Sequence, residues 1–202
     1  NFNLVDRFLC MMEYQNLPVT ICFNKIDLVD QEKLKEYSGI YEPAGYNVIF
    51  TCTKTKEGLG SIRSLLEGKT TTVAGPSGVG KSSIINCLQS DITMETGTIS
   101  EKIERGKHTT RHSEIIPVSH DTYIMDTPGF SSMDVPGFEK EDLWTCYPEF
   151  VRHEPYCRFI GCSHINEPDC GVKAAVEDGE ISPVRYENYK LLYEELKNRH
   201  KY

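Results

Sequence analysis

Gly75-Pro76-Ser77-Gly78-Val79-Gly80-Lys81-Ser82 matches the pattern G-x-x-x-x-G-K-[ST], between an apolar run, Thr70–Ala74, and a helical one. Glycines there let successive backbone N–H groups turn inward around a phosphate chain, and the helix N-terminus adds its positive end. Lys81 would neutralise the β- and γ-phosphates, Ser82 would ligate Mg²⁺, and Ser83 would lie beside it in the first helical turn. Asn24-Lys25-Ile26-Asp27 stands at the end of another apolar run, Pro18–Phe23. The Asp27 carboxylate can accept both the N1–H and the exocyclic amine of guanine, a donor pair that adenine lacks, so GTP is favoured over ATP. A chance Gly-rich turn and an ordinary polar turn would explain either string alone; both in one chain favour the nucleotide. Thr51-Cys52-Thr53, after a third run, is placed to approach the base from the other side.

Asp126-Thr127-Pro128-Gly129 follows Thr122–Met125 and puts a carboxylate where it can hold Mg²⁺ through water. Gly129 supplies an N–H with no side chain in the way, suited to a γ-phosphate. Between the two phosphate elements lies Gly106-Lys107-His108-Thr109-Thr110-Arg111-His112. Thr110, or Thr109 in its stead, could close over Mg²⁺ when the γ-phosphate is present. Phe130 occupies the position where a Ras-like enzyme carries its water-positioning glutamine. Either hydrolysis is slow until another group is supplied, or the site only binds; His108 is the candidate group, with a solvated loop histidine as the alternative.

Cys157-x₄-Cys162-x-His164-x₅-Cys170 gathers three thiols and an imidazole. Three sulfurs and one nitrogen suit tetrahedral Zn²⁺ and fill its shell, which makes the site structural. The spacing departs from C-x₂-C, so an iron–sulfur cluster and a disulfide remain alternatives. Of the eight cysteines, Cys10, Cys22, Cys52, Cys87 and Cys146 sit among apolar neighbours and read as free buried thiols. His153, His112 and His200 fall outside the metal pattern.

The elements that must position these groups alternate. Leu4 to Met12 has helical spacing, Pro18–Phe23 reads as a strand, Asp30–Tyr37 as a polar helix, Asn47–Phe50 as a strand, Leu59–Leu66 as a helix, and Thr70–Ala74 with Lys81–Gln89 as strand and helix. The alternation implies an α/β fold with a mostly parallel sheet and helices on both faces. Glu114–Val118 and Thr122–Met125 are close enough to pair antiparallel. Asp91–Ser113 reads as a long functional loop and Pro128–Pro136 as a second one. Tyr186, Tyr189, Tyr193 and Leu196 line one side of a terminal helix. The pattern changes near residue 150, dividing the chain into 1–150 and 151–202.

An apolar share of 39% over 202 residues excludes a wholly disordered chain. Lys and Arg number 22 against 30 Asp and Glu, a net charge of -8, which argues against a nucleic-acid binder working by bulk positive charge. Asp134, Glu139, Glu141, Asp142 and Glu149 read as a solvated acidic face, while Lys102, Arg105, Lys107 and Arg111 give the long loop a basic character. No run approaches the roughly 20 apolar residues of a membrane span, and the N-terminus lacks a signal-peptide pattern. A soluble intracellular protein, with no membrane partner, is expected.

The order of the nucleotide elements is rotated. Small GTPases run phosphate loop, switch threonine, D-x-x-G, N-K-x-D and base-supporting loop; here N-K-x-D and the base-supporting loop come first. This order, with Gly-Lys-His-Thr-Thr-Arg-His, Asp-Thr-Pro-Gly-Phe and the Cys/His string followed by Val172-Lys-Ala-Ala-Val-Glu-Asp-Gly179, resembles the ribosome small-subunit-dependent GTPase A family, also called RsgA/YjeQ/YloQ. The resemblance implies a circularly permuted P-loop GTPase domain with a small C-terminal zinc-binding helical domain. It also implies a bacterial, cytoplasmic, monomeric factor that acts late in maturation of the 30S subunit, contacts its 16S rRNA, and hydrolyses GTP to GDP when stimulated by the subunit. The family binds zinc through positions matched by Cys157, Cys162, His164 and Cys170. Asp169 stands where glycine is common, and the family's N-terminal oligonucleotide-binding barrel and a further strand precede the point at which this chain begins. Two rivals remain: a guanine-nucleotide-responsive module that binds RNA or protein with incidental hydrolysis, and a permuted GTPase serving another RNA assembly.

Overall fold

The computed structural model describes residues 1–96, 114–126 and 139–199, apart from the side chains of 90–96 and 114. Its elements are α1 (Phe2–Tyr14), β1 (Thr20–Asn24), α2 (Gln31–Tyr41), β2 (Asn47–Thr51), α3 (Leu59–Leu66), β3 (Thr70–Val73), α4 (Lys81–Thr96), β4 (Glu114–Ser119), β5 (Thr122–Asp126), α5 (Pro148–His153), α6 (Gly171–Glu177) and α7 (Pro183–Arg199). β1 pairs with β2, and a second sheet has the order β3-β5-β4. Among the described residues no helix is long and apolar enough to cross a membrane.

One compact unit comprises Cys22–Asp30 and Ile49–Ser131. β5 is its central strand, parallel to β3 and antiparallel to β4. Pro117 sits on β4, an edge strand of the described sheet, which is where a proline is tolerated. Leu59, Ile62 and Leu66 recur at helical spacing on α3 and pack with Ile85 and Leu88 of α4 and with Ile116, Val118 and Ile124 of the sheet. α4 runs past the expected end at Gln89 to Thr96. The stretch assigned to loop from Asp91 is thus helical at its start, because no glycine or proline interrupts the chain before Gly97. Residues 97–113 and 127–138, which carry both expected loops, lie outside the described residues.

The other unit comprises Asn1–Ile21, Gln31–Val48 and Ser132–Tyr202. Its core joins Cys10 of α1 with Leu143, Tyr147 and Phe150, Val172 and Ala175 of α6, and Tyr189, Leu192 and Leu196 of α7. Within it Arg185 is fully buried: Nε and Nη2 donate to the two oxygens of Glu149 at 2.7 and 3.0 Å, and Nη1 donates to Asp6 Oδ1 at 2.7 Å. The guanidinium lies 4.5 Å from the Tyr147 ring centroid, with Tyr41 and Tyr46 at 5.7 and 5.4 Å. Glu149 therefore does not belong to a solvated face; it is 1% exposed, as the partner of a buried cation. Glu139, Glu141 and Asp142 are exposed. The expected division near residue 150 does not follow these units, because α1 and α2 cluster with the C-terminal helices.

Candidate nucleotide site and metal centre

β3 and β5 run parallel with Val73 opposite Asp126. The Gly75–Gly80 loop therefore leaves the sheet beside the end of β5, where Asp126 is 3% exposed. The loop is tied to the N-K-x-D segment by side chains. Asn24 Nδ2 donates to Val79 O at 3.0 Å, and Lys25 Nζ donates to Gly78 O at 2.7 Å. Thr51 Oγ1 donates to Asn24 Oδ1 at 3.1 Å and fixes the amide's orientation. Gly80 has φ +100°, and a Cβ there would lie 2.3 Å from Asn24 Nδ2, so glycine alone allows this approach. Lys81 Nζ donates to Gly75 O and Pro76 O at 2.7 and 3.1 Å, which stations its charge over the loop. Pro76, Ser77, Gly78 and Val79 complete the turn, and Ser82 and Ser83 are exposed in the first turn of α4.

Lys25 adopts the left-handed conformation, φ +66°, and opens the single helical turn Ile26–Leu28 that carries Asp27. Asp27 Oδ1 accepts from the Cys52 thiol at 3.4 Å, and Oδ2 accepts from Lys54 Nζ at 2.5 Å. The hydrogen bond from Lys54 is the main cause holding the Asp27 carboxyl below its ordinary value. Cys52 is buried, whereas Cys22, expected to be buried, is exposed and 3.4 Å from Thr51 Oγ1. Sequence reasoning missed Lys54, which lies only two residues beyond Cys52 in the same loop. His108, Thr109, Thr110, Gly129 and Phe130 lie outside the described residues.

In the other unit, one ligand atom from each of Cys157, Cys162, His164 and Cys170 lies within 4.8 Å of the others. Cys157 Sγ is 3.8 Å from Cys170 Sγ, and His164 Nδ1 is 3.6 and 3.4 Å from those two sulfurs. Tetrahedral bonds of about 2.3 Å to sulfur put the sulfurs about 3.8 Å apart, so this set could hold a metal ion. Burial lowers His164 to about 4, which keeps the imidazole neutral, as a ligand must be. Burial also pushes the Cys162 thiol up to about 12 and raises Cys170, so an ion would have to displace their protons.

The cluster is braced from outside. Although its partial burial acts to raise it, the Glu167 carboxyl is held down at about 2 by hydrogen bonds from Ser163 N, Ser163 Oγ and Ile165 N. Tyr186 Oη donates to His164 O at 2.7 Å and Tyr189 Oη to Ser163 O at 2.6 Å, which gives the tyrosine stripe of α7 a specific task. Asp169 has φ +53°, a left-handed position that accounts for glycine being suited to it. Here the aspartate is tied down by Arg158 Nη1 at 2.8 Å. Glu167 was missed because its role depends on backbone N–H groups, which spacing does not display. His153 stands apart, 3.4 Å from Glu180.

A sequence profile described as RsgA GTPase matches residues 1–136. The chain belongs to the RsgA GTPase family. It is 79% identical over all of its 202 residues to the small ribosomal subunit biogenesis GTPase RsgA of Agathobacter rectalis, covering 67% of that protein. It is 46% identical to the protein of the same name from Bacillus cereus, with 98% of this chain and 69% of that one aligned. YjeQ from Thermotoga maritima superposes with a TM-score of 0.81 at 34% identity, over 99% of this chain and 67% of that one. YloQ, a circularly permuted GTPase, gives 0.79 at 33% identity, over 100% and 65%. The rotated order of the nucleotide elements is thus a property shared with a family member of known structure, and the chain spans about two thirds of the length of these relatives.

Proposed function

We propose that this chain hydrolyses GTP to GDP as a late factor in maturation of the 30S ribosomal subunit, and that the subunit stimulates its turnover. The observation that carries the reading is the bracing of the Gly75–Gly80 loop by Asn24 and Lys25. It makes the guanine-reading segment and the phosphate-binding segment one piece of structure although 51 residues of sequence separate their first members. Asp27 reads the base, with Thr51 and Cys52 behind it. Backbone N–H groups of residues 75–80 and the Lys81 ammonium receive the phosphates. Ser82, Asp126 and Thr110 would hold Mg²⁺, which would supply charge neutralisation on the phosphate oxygens.

Phe130 cannot orient a water, so His108 or a group from the subunit performs that task, and the free chain turns over slowly. Contacts of Thr110 and Gly129 with the γ-phosphate couple the nucleotide state to binding of the 16S rRNA surface, and loss of that phosphate ends the coupling. The Cys₃His set would hold Zn²⁺, and four protein ligands would leave the ion a structural task. The protein acts as a cytoplasmic monomer. Multiple-turnover GTPase assays with and without 30S subunits test the reading: a rate at least ten-fold higher with subunits is expected, and equal rates would defeat it.

A further inference from the structure

Both oxygens of the Asp27 carboxylate are engaged by the chain itself, and the two donors come from opposite environments. Cys52 is 1% exposed, whereas the Lys54 side chain is 74% exposed. The thiol therefore backs the carboxylate from inside the fold, and the ammonium covers the side that faces water. The Asp27 side chain keeps 24% exposure, so a base arriving from solvent meets the face that Lys54 occupies. The lysine is held there by its backbone. Cys52 N donates to Glu57 O at 3.0 Å and closes a turn around residues 53–56. Gly58, at φ +73°, fastens the end of that turn so closely that a Cβ would lie 2.0 Å from Phe50 O. A tethered ammonium beside a carboxylate acts at high effective concentration.

We infer that Lys54 is a built-in competitor for the guanine-reading carboxylate, holding Asp27 until a base with two donors displaces it and so weakening the binding of guanine nucleotides. This rests on the assignment of Asp27 to guanine recognition. Guanine brings N1–H and its exocyclic amine to the two oxygens together. The buried thiol can remain on a second lone pair of Oδ1, but the exposed ammonium stands in the place of the base. Where a fraction of the chain is held in a closed state, the apparent Kd rises by the inverse of the open fraction. Exposed ion pairs are weak, so the expected factor is about two- to six-fold.

The test uses a fluorescent GDP analogue and the 202-residue chain. Lys54→Met keeps the unbranched apolar stem and removes the charge; it is expected to bind the analogue about two- to six-fold more tightly than the parent. A second arm uses Asp27→Asn with xanthosine diphosphate, whose N1–H and C2 carbonyl match an amide. The neutral amide of that variant offers no charge to Lys54, so adding Lys54→Met in the same background should leave affinity unchanged. Equal or weaker GDP binding by Lys54→Met overturns the inference. A gain of the same size in the Asp27→Asn background also overturns it, because the effect would then not act through Asp27. A parent chain that binds GDP and ADP equally would instead remove the guanine assignment, which makes the two failures distinguishable.

Discussion

Replacing Arg185 by methionine isolates what the buried cation does. The side chain is fully buried, makes three charged hydrogen bonds to Asp6 and Glu149, and lies against three tyrosine rings. Methionine fills much of the same volume, so the loss is mainly electrostatic: two carboxylates stay buried without their cation. Removing one partner of such a network costs about 3–5 kcal/mol. In a chain of this length that corresponds to a fall in Tm of roughly 6–20 °C. The sign of the pH dependence follows from the carboxylates. Asp6 is already raised, by burial first and foremost, even with Arg185 beside it. Without the arginine its folded value rises further, so the variant's stability is fullest when Asp6 is protonated and is lost as pH climbs through that raised value. The deficit relative to the parent should therefore be larger at pH 8 than at pH 5, measured by differential scanning calorimetry on both proteins at each pH. Subtracting the parent removes the pH dependence of metal binding. Deficits of equal size at the two pH values would refute the electrostatic account and leave only packing.

Two further outcomes follow from the sites. Gly80→Ala forces a Cβ to within 2.3 Å of Asn24 Nδ2 at a φ of +100°, so the amide must leave Val79 O. GDP affinity should fall by about ten-fold or more in calorimetric titration, whereas a value within two-fold of the parent would show that the Asn24 brace is dispensable. Trp144 is the only tryptophan, and its ring centroid lies 5.9 Å from that of His164. Stripping metal with a chelator should shift its emission and lower Tm by about 10 °C; an unchanged spectrum and melt would mean that the Cys157–Cys170 segment keeps its shape without an ion.

The helices and strands were legible because their apolar residues keep period: Leu59, Ile62 and Leu66 gave α3 its limits, and Glu114–Val118 against Thr122–Met125 announced an antiparallel pair that the structure contains. Both pieces of the candidate nucleotide site were legible as strings, since phosphate and guanine each demand particular residues in a row. What joins them was not. Asn24 and Lys25 stand out by their motif, yet the side chains reach the carbonyls of Val79 and Gly78, and no local pattern states which carbonyl a distant amide will find. Arg185 was invisible for a related reason. Asp6 and Arg185 are polar residues on the inward stripes of α1 and α7, where hydropathy periodicity scores them as breaks. Only their meeting with Glu149, across 179 and 36 residues of sequence, turns three unfavourable burials into one network.

That network also bears on how the candidate metal centre can stand. The unit containing Cys157–Cys170 is assembled from three chain segments, Asn1–Ile21, Gln31–Val48 and Ser132–Tyr202. Asp6 belongs to the first segment, the Tyr41 and Tyr46 rings to the second, and Arg185 and Glu149 to the third. A fragment made only of the last segment would keep all four candidate metal ligands and the Tyr186 and Tyr189 braces. It would also keep the Arg185–Glu149 pair, but lose Asp6 and two of the three rings that enclose the guanidinium. The thiol and imidazole positions are therefore local in sequence, while the burial that keeps His164 neutral draws on a core to which α1 contributes Cys10. The Asn24–Asp27 string lies in Cys22–Asp30, which in sequence is flanked by Asn1–Ile21 and Gln31–Val48, two segments that belong to the same unit as the Cys157–Cys170 set, so the folding of that set depends on chain on both sides of the string.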